Sequence, residues 1–135
     1  MERFDFILSE QESISLQERN LNTGDIAVEI CKIYFQHQYI GATFIENPEA
    51  GVDLEVIVPQ RPNLQIEVKG TEERGLAPYQ LGVSGNHSFQ RLFNGLPLYR
   101  VSNVRQREIT IWILTCPADF RMEPEPRWRI ILNQN

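Results

Sequence analysis

The sequence predicts an α/β domain in which a central β-sheet of about five to six strands is flanked by helices. A period of two, which is typical of strands, occurs in three segments. Apolar and polar side chains alternate in residues 51–58 and 64–70, and isoleucines alternate with other large or β-branched side chains in residues 108–114. Residues 24–38 instead repeat apolar side chains at the helical period. A length of 135 residues allows one core and is too short for two ordinary domains, so we expect residues 1–135 to form a single domain.

The first elements differ in how clearly the sequence defines them. Residues 1–20 form an N-terminal arm or a small helix, and their short apolar cluster, 4–8, suits either packing on the body or contact within a dimer. The next element is a helix over 24–38, for which Asn22 or Thr23 provides the N-cap. Apolar residues lie on two sides of this helix, so we expect it to be largely buried.

A hairpin follows the first strand, 42–46, and groups charged side chains on one surface. Asp53 shares a face of its strand with Glu55, and Glu67 shares a face of the next strand with Lys69. Pairing of the two strands brings Asp53 near Glu67 and Lys69. Two close carboxylates repel each other unless a cation lies between them, and hard oxygen ligands suit Mg²⁺ or Mn²⁺.

These residues carry a resemblance to a known superfamily. Gly51-Val-Asp53, a turn, and then Ile66-Glu-Val-Lys-Gly70 resemble the core of the PD-(D/E)XK nucleases, which have the restriction-endonuclease-like fold. With Thr71, residues 81–84 and residues 98–104 added, the string is similar to the NO VEIN C-terminal-type domain, a group of undefined function within that superfamily. The resemblance covers roughly residues 20–115 and implies a mixed central sheet.

The resemblance also implies roles for individual residues. Asp53 and Glu67 are expected to hold the divalent ion, with the carbonyl of Val68 as a further ligand. Lys69 is expected to orient the attacking water and to stabilise charge on the phosphate.

Glu29, in the first helix, matches a glutamate that the superfamily often offers to its catalytic site. It is therefore expected to complete the set of catalytic residues, Asp53, Glu67, Lys69 and Glu29. The alternative is that Glu29 pairs with Lys32 or Lys69, or reaches water.

The remainder of the chain completes the predicted sheet. We expect a loop over 70–78 that can close on a substrate, a short strand over 80–84, and a helix from Gly85 to about Asn94. That helix is predicted to turn Phe89, Leu92 and Phe93 inward. Strands are predicted over 98–104 and 108–114, and a final edge strand or dimer-contact segment includes Trp128, Ile130 and Ile131.

Charge is distributed unevenly along the chain, whose net charge is −5. Residues 1–60 hold 11 acidic and 3 basic side chains, net −8, and residues 61–135 hold 7 acidic and 10 basic, net +3. The segment 76–107 contains no acidic residue. If the protein has a nucleic-acid-binding face, we expect it in this segment; the alternative is that its arginines form an ordinary solvated surface. The candidate nucleic-acid-binding residues are Arg91, Arg100, Arg105 and Arg107.

Composition excludes several classes of protein. No apolar run approaches the roughly 20 residues that span a bilayer, and the N-terminus lacks a basic region followed by a long apolar one. Cys31 and Cys116 have no metal-ligand spacing, and a disulfide between them is not expected. We therefore expect a cytoplasmic protein that makes no membrane contact.

The sequence leads to two hypotheses on function. The first is a Mg²⁺- or Mn²⁺-dependent nuclease that hydrolyses phosphodiester bonds in nucleic acid, with DNA as the expected substrate and a homodimer as an open possibility. The alternative is a catalytically inactive module of the same fold, which binds or regulates within a defence or mobile-element system.

Overall fold

The computed structural model describes residues 1–125 and 131–133, and within them it contains one six-stranded mixed sheet with three α-helices. The predicted α/β class is thereby confirmed. The elements, in chain order, are β1 Glu2–Ile7, α1 Glu10–Glu18, α2 Thr23–Gln38, β2 Thr43–Glu49, β3 Val52–Ile57, β4 Leu64–Thr71, a short 3-10 helix Pro78–Gln80, α3 Asn86–Phe93, β5 Leu98–Ser102 and β6 Glu108–Leu114.

The strands lie in the order β1-β6-β5-β4-β3-β2. Every neighbouring pair is antiparallel except β4 and β5, which run parallel and are joined by a crossover that contains α3. The central strand β4 changes partner along its length. Its first residues pair with β3, ending at Leu54↔Ile66, and its last residues pair with β5, beginning at Glu67↔Leu98.

One face of the sheet carries the main apolar core. Alternate side chains of the strands meet α1 and α2 there, and burial of each large apolar side chain contributes roughly 1.5–3 kcal/mol. The helix α2 lies close to β4, because an added Cβ at Gly70 would be 2.6 Å from the Thr23 carbonyl oxygen. Buried members of this core include Ile26, Ile30, Leu54, Ile66, Val68, Tyr99, Val101 and Ile111.

The opposite face is covered by α3 and by the loop that precedes it. A smaller apolar cluster forms there around Leu92, Leu98 and Leu114. The N-terminal half of α3 also approaches the start of β3, since an added Cβ at Gly51 would lie 2.7 Å from the His87 carbonyl oxygen. Asp53, Glu67 and Lys69 belong by strand alternation to this second face.

The N-terminal segment is more regular than the sequence suggests. Instead of an arm or a single helix, it forms the edge strand β1, paired with β6, and then the helix α1. A reciprocal pair of hydrogen bonds opens α1: the Glu12 N–H donates to Ser9 Oγ, and the Ser9 N–H donates to Glu12 Oε1. The α2 prediction is confirmed, with Asn22 as its N-cap.

Three predictions in the second half of the chain need correction. The strand predicted over 80–84 does not form: Gln80 ends the 3-10 helix, and residues 81–84 follow it as irregular backbone. On α3 only Leu92 is buried, whereas Phe89 and Phe93 are 44% and 62% exposed, because the two phenylalanines lie on the solvent side of the helix. Of the predicted final strand, Trp128 and Ile130 lie outside the described residues, and Ile131 is exposed and in no strand.

Candidate functional site

The candidate site lies where β4 changes partner. Continuing the β3–β4 register by one residue beyond Leu54↔Ile66 sets Asp53 opposite Glu67. At this point the Val68 N–H donates to Asp53 Oδ2, at 2.8 Å. The Asp53 carboxylate thus accepts the hydrogen bond of a β4 backbone N–H just beyond the last paired residues of β3 and β4. The hairpin predicted from the sequence does bring the two acidic residues together.

Glu67 is a buried carboxylate with an incomplete set of partners. Only 4% of the residue is exposed. Its Oε1 lies 3.5 Å from the Lys69 Nζ, and its Oε2 has no hydrogen-bond partner among the described residues. A buried polar group without a partner costs about 1–3 kcal/mol. This free-energy cost would be removed by a ligand that binds Oε2.

The electrostatics of this carboxylate follow from its surroundings. Burial raises the pKa of Glu67 above its ordinary value. The Lys69 ammonium opposes that rise in the pKa, and the Asp53 carboxylate adds to it. A cation held between them would favour the ionised form of Glu67, because it would offset both the burial and the repulsion.

Glu29 does not join this group. It belongs to α2, which packs on the opposite face of the sheet, and its Oε1 lies 3.2 Å from Arg19 Nη2 and 3.5 Å from Lys32 Nζ. No hydrogen bond or ion pair within the described part of the chain involves both Glu29 and either Asp53 or Glu67. The pairing with Lys32, which the sequence left as the alternative, is the arrangement that the structure has.

The donor set fits a hard divalent ion only in part. Among residues 1–125 and 131–133, no group of three or more His, Cys, Asp or Glu side chains is arranged to hold a metal ion. The site supplies two neighbouring carboxylates, Asp53 and Glu67, and the buried Oε2 of Glu67 has no hydrogen-bond partner within the described ranges. Carboxylate and carbonyl oxygens with several waters are the usual ligands of Mg²⁺, so the predicted set of Asp53, Glu67 and Val68 suits that ion.

Arg100 corrects the predicted nucleic-acid-binding set. Only 1% of it is exposed, and its guanidinium donates to three backbone carbonyls, those of Leu76 at 2.9 Å, Gly70 at 3.0 Å and Ala77 at 3.0 Å. A guanidinium engaged in this way cannot reach a phosphate. Its function is structural, since it fastens the loop after β4 onto the sheet.

The same contacts bear on the expected closure of that loop. Besides Arg100, the Ser102 hydroxyl donates to the Gly75 carbonyl at 2.7 Å, and the Thr71 hydroxyl donates to Gln80 Oε1 at 2.5 Å. Tyr79 also donates to Glu73. The loop is therefore hydrogen-bonded at several points along its length, and it covers part of the second face.

The other three candidate arginines have protein partners but keep exposed surface. Arg91 Nη2 lies 2.8 Å from Glu49, Arg105 Nε lies 2.9 Å from Glu72, and Arg107 donates to the Leu8 carbonyl at 3.2 Å. Arg91 lies against Gly51, two residues before Asp53, because its Cγ would be 3.0 Å from a Cβ added there. A role for these three in binding nucleic acid stays a prediction.

Two cavities lie away from the carboxylates. One, of about 340 Å³, lies at the C-terminal end of α2 on the core side of the sheet and includes Tyr34, Tyr39 and Tyr99 in its wall. The other lies beside β1 and β6. Neither includes Asp53, Glu67 or Lys69, so the candidate site is assigned from its charges and contacts and not from a cavity.

Comparisons with protein-family models, with curated proteins and with solved structures found no match to this chain. The superfamily resemblance therefore stays a prediction. In the described residues, no helix has both the length and the apolar character needed to cross a bilayer.

Proposed function

We propose that the protein is a metal-dependent nuclease of the PD-(D/E)XK type, with a restriction-endonuclease-like core, that hydrolyses phosphodiester bonds in nucleic acid, with DNA as the expected substrate. One observation carries the proposal: Glu67 is buried beside Asp53, 3.5 Å from the Lys69 ammonium, and one of its carboxylate oxygens has no hydrogen-bond partner in the part of the chain that the structure describes. Groups of this kind in native structures call for an explanation such as an ion or a catalytic role.

Asp53 and Glu67 would hold Mg²⁺ or Mn²⁺, with the Val68 carbonyl as a third oxygen. When bound, such an ion polarises a phosphoryl oxygen and lowers the pKa of coordinated water. Asp53 keeps its position through its bond to the Val68 N–H, and Glu67 keeps its position through burial. The site is thereby preorganised by the sheet itself.

Lys69 would be the cationic catalytic group. It lies two residues after Glu67 on the same face, partly exposed, with its ammonium near the Glu67 carboxylate. From there it can hold the attacking water and stabilise the negative charge that grows on the phosphate oxygens. Hydrolysis adds the elements of water across the phosphodiester, giving a phosphomonoester and a free hydroxyl.

The test is cleavage of labelled single-stranded DNA, duplex DNA and RNA by the purified chain with Mg²⁺, with Mn²⁺ and with EDTA. We expect metal-dependent cleavage, and a loss of at least about 100-fold in Asp53→Asn and Lys69→Met, the magnitude typical of removing a group that stabilises the transition state. Asparagine keeps an oxygen for the Val68 N–H, so the fold should persist in Asp53→Asn.

A matched control is Lys32→Met, which removes a partly buried ammonium that pairs with Glu29 and Glu46. It should cleave as the parent does. If the parent cuts none of the three substrates with either ion, or if Asp53→Asn and Lys69→Met cut as well as the parent does, the nuclease assignment is wrong.

The second candidate function is a catalytically inactive module that binds or regulates, and one observation favours it. The third acidic side chain expected at the site, Glu29, is engaged by Arg19 and Lys32 on the other face of the sheet. Under this alternative the chain binds its partner without cutting, and the Asp53 and Lys69 substitutions change stability alone.

A further inference from the structure

The two edge strands of the sheet differ in how well they are protected. On β2 the register shifts between Glu46 and Glu49, and Pro48 lies within the strand. Bulges and proline are devices that keep an edge from pairing with another chain. On β1 the ladder to β6 is regular over its whole length, from Glu2↔Ile113 to Ile7↔Glu108, and the strand contains no proline. No described strand pairs with its outer side.

The direction of the free backbone groups on β1 follows from one hydrogen bond. The Leu8 N–H donates to the Arg107 carbonyl at 2.9 Å, and these residues continue the β1–β6 register. Successive residues of an antiparallel strand direct their backbone groups to alternate sides. Residues 2, 4 and 6 therefore face β6, and Arg3, Asp5 and Ile7 present their N–H and C=O groups outward.

The outward residues select the partner and its register. If a second copy adds its own β1 antiparallel, only odd-numbered residues can face odd-numbered residues in hydrogen-bonded pairs. A two-fold axis at Arg3 or at Asp5 sets like charges opposite each other, which is destabilising. An axis at Phe4 sets Arg3 of each copy opposite Asp5 of the other. An axis at Phe6 sets Asp5 opposite Ile7.

Phe4 is suited to that central position. Its side chain is 38% exposed and contacts Tyr34, with ring centroids 5.9 Å apart. At the axis it would face the Phe4 of the second copy in a non-hydrogen-bonded pair, where side chains approach most closely. Aromatic and opposite-charge cross-strand pairs each contribute roughly 0.2–1 kcal/mol.

We propose that β1 is a dimerisation edge, to which a second copy of this chain adds its own β1 antiparallel and centred on Phe4, so that the two six-stranded sheets become continuous. The inference goes beyond the proposed function and does not depend on it, because none of the candidate catalytic residues lies on β1.

The first test measures the oligomeric state by sedimentation velocity between about 1 and 100 µM protein. We expect a dimer for the parent chain. Asp5→Arg sets two arginines opposite each other and should weaken the dimer at least about tenfold. The double variant Arg3→Asp with Asp5→Arg restores opposite charges and should restore the dimer. Glu10→Arg, an equal charge change on α1, is the control and should leave the dimer intact.

The second test reads the register by cysteine cross-linking in a Cys116→Ser background, with Cys31 buried. Opposed Cα atoms of a non-hydrogen-bonded pair are about 4.5 Å apart, within the range that a disulfide spans. Phe4→Cys should therefore form a covalent dimer on oxidation. Glu2→Cys should not, because residue 2 lies about 13 Å along the strand from its own copy.

Two results would overturn the proposal. One is a parent chain that stays monomeric at the highest concentration. The other is cross-linking that is faster at Glu2→Cys than at Phe4→Cys. The charge-exchange variants do not depend on the cysteine variants, so a poorly folded Phe4→Cys would still leave the first test decisive. Far-ultraviolet circular dichroism of each variant identifies such a case.

Discussion

Among single residues, Glu67 departs most clearly from the pattern of a stable domain. Buried carboxylates in native proteins are normally paired and fully hydrogen-bonded. Glu67 has an ammonium near one oxygen and no partner for the other within the described residues. Burial raises the pKa of this carboxyl, which means that the ionised form is disfavoured in the absence of a ligand. Its charge therefore lowers the stability of the metal-free protein.

We expect Glu67→Gln to raise the free energy of unfolding by about 1 kcal/mol in metal-free buffer at pH 8, because the buried charge is removed. If the proposed site binds Mg²⁺ or Mn²⁺, either ion should stabilise the folded parent, and the same change should abolish that stabilisation. Urea unfolding in EDTA and in 10 mM of either ion, about a tenfold excess over a millimolar Kd, measures both effects.

Glu55→Gln is the control for that substitution. Glu55 lies on the same face of the neighbouring strand, and its carboxylate accepts a hydrogen bond from the Gln65 side chain at 2.9 Å. It should respond to the ions as the parent does. A Glu67→Gln protein that is less stable than the parent in EDTA would contradict this account of the site.

The sequence could predict part of the site because strand alternation is local. The period of two places Glu67 beside Lys69, and the short turn between the strands brings in Asp53. Arg100 was assigned to the wrong role because its partners, the carbonyls of Gly70, Leu76 and Ala77, lie 23 to 30 residues earlier. Such contacts depend on the tertiary fold and leave no local signal. That Glu67 Oε2 finds no partner among the residues that the structure describes likewise depends on the tertiary fold.

At the scale of elements, the contact between α2 and β4 depends on a residue without a side chain. A Cβ at Gly70 would lie 2.6 Å from the Thr23 carbonyl oxygen and 2.7 Å from the Ala27 Cβ. Both neighbours belong to α2, so they cannot move apart without shifting the helix.

We therefore expect Gly70→Ala to destabilise the protein by about 1–3 kcal/mol, the usual cost of overpacking. Gly75→Ala is the matched control, because nothing lies within 4 Å of its added Cβ. Thermal unfolding of the two variants measures the difference. Equal midpoints for Gly70→Ala and the parent would show that α2 packs less closely than the structure has it.

The start of α1 gives a prediction on pH. Partial burial acts to raise the pKa of Glu12, but hydrogen bonds from the Ser9 N–H and His37 outweigh it, so the pKa is lowered from its ordinary value of 4.5. A lowered pKa in the folded state means that Glu12 stabilises the protein above pH 4.5, and that this contribution is lost as the pH falls through the folded-state value.

Glu12→Gln should accordingly reduce stability by about 0.5 kcal/mol at pH 7, the magnitude of a favourable charge in a first helical turn. The difference from the parent should shrink as the pH falls from about 5 to 3. Urea midpoints at several pH values measure it. The exposed Glu10→Gln is the control in the same turn, and a difference that is constant with pH would contradict the assignment.

Elements with strong periodicity were predicted well, and those defined by distant partners were not. α2, β3, β4 and β6 have clear apolar patterns and appear where the sequence places them. β1 was not predicted as a strand because its partner lies at the far end of the chain, with Glu2 opposite Ile113. The prediction of which face of α3 is buried was also wrong. Three apolar residues of this helix were expected to face the sheet, and of these only Leu92 is buried.

For the molecule as a whole, a single sheet with apolar clusters on both faces predicts one cooperative transition. The clusters around Ile111 and around Leu114 share strand β6, and β4 connects the two halves of the sheet. Unfolding of the strands on one side of β4 would expose apolar side chains on the other side, so we expect no stable intermediate.

Trp112 reports on the second face, because it packs on the smaller cluster. In a Trp128→Phe background, its fluorescence and the far-ultraviolet circular dichroism should give coincident urea transitions. Transitions that separate would show that the second face, including the loop fastened by Arg100, unfolds on its own.

The hydrogen bond from Val68 to Asp53 has a consequence for how the site can be observed. The Val68 N–H, in the middle of the sheet, donates its hydrogen bond to the Asp53 carboxylate, which would also bind the ion. Binding of the ion should therefore change this hydrogen bond. Occupation of the site should alter the NMR resonance and the solvent-exchange rate of that one proton, even when no substrate is present. The Val68 amide, at the point where β4 changes partner, therefore reports whether Asp53 and Glu67 hold an ion.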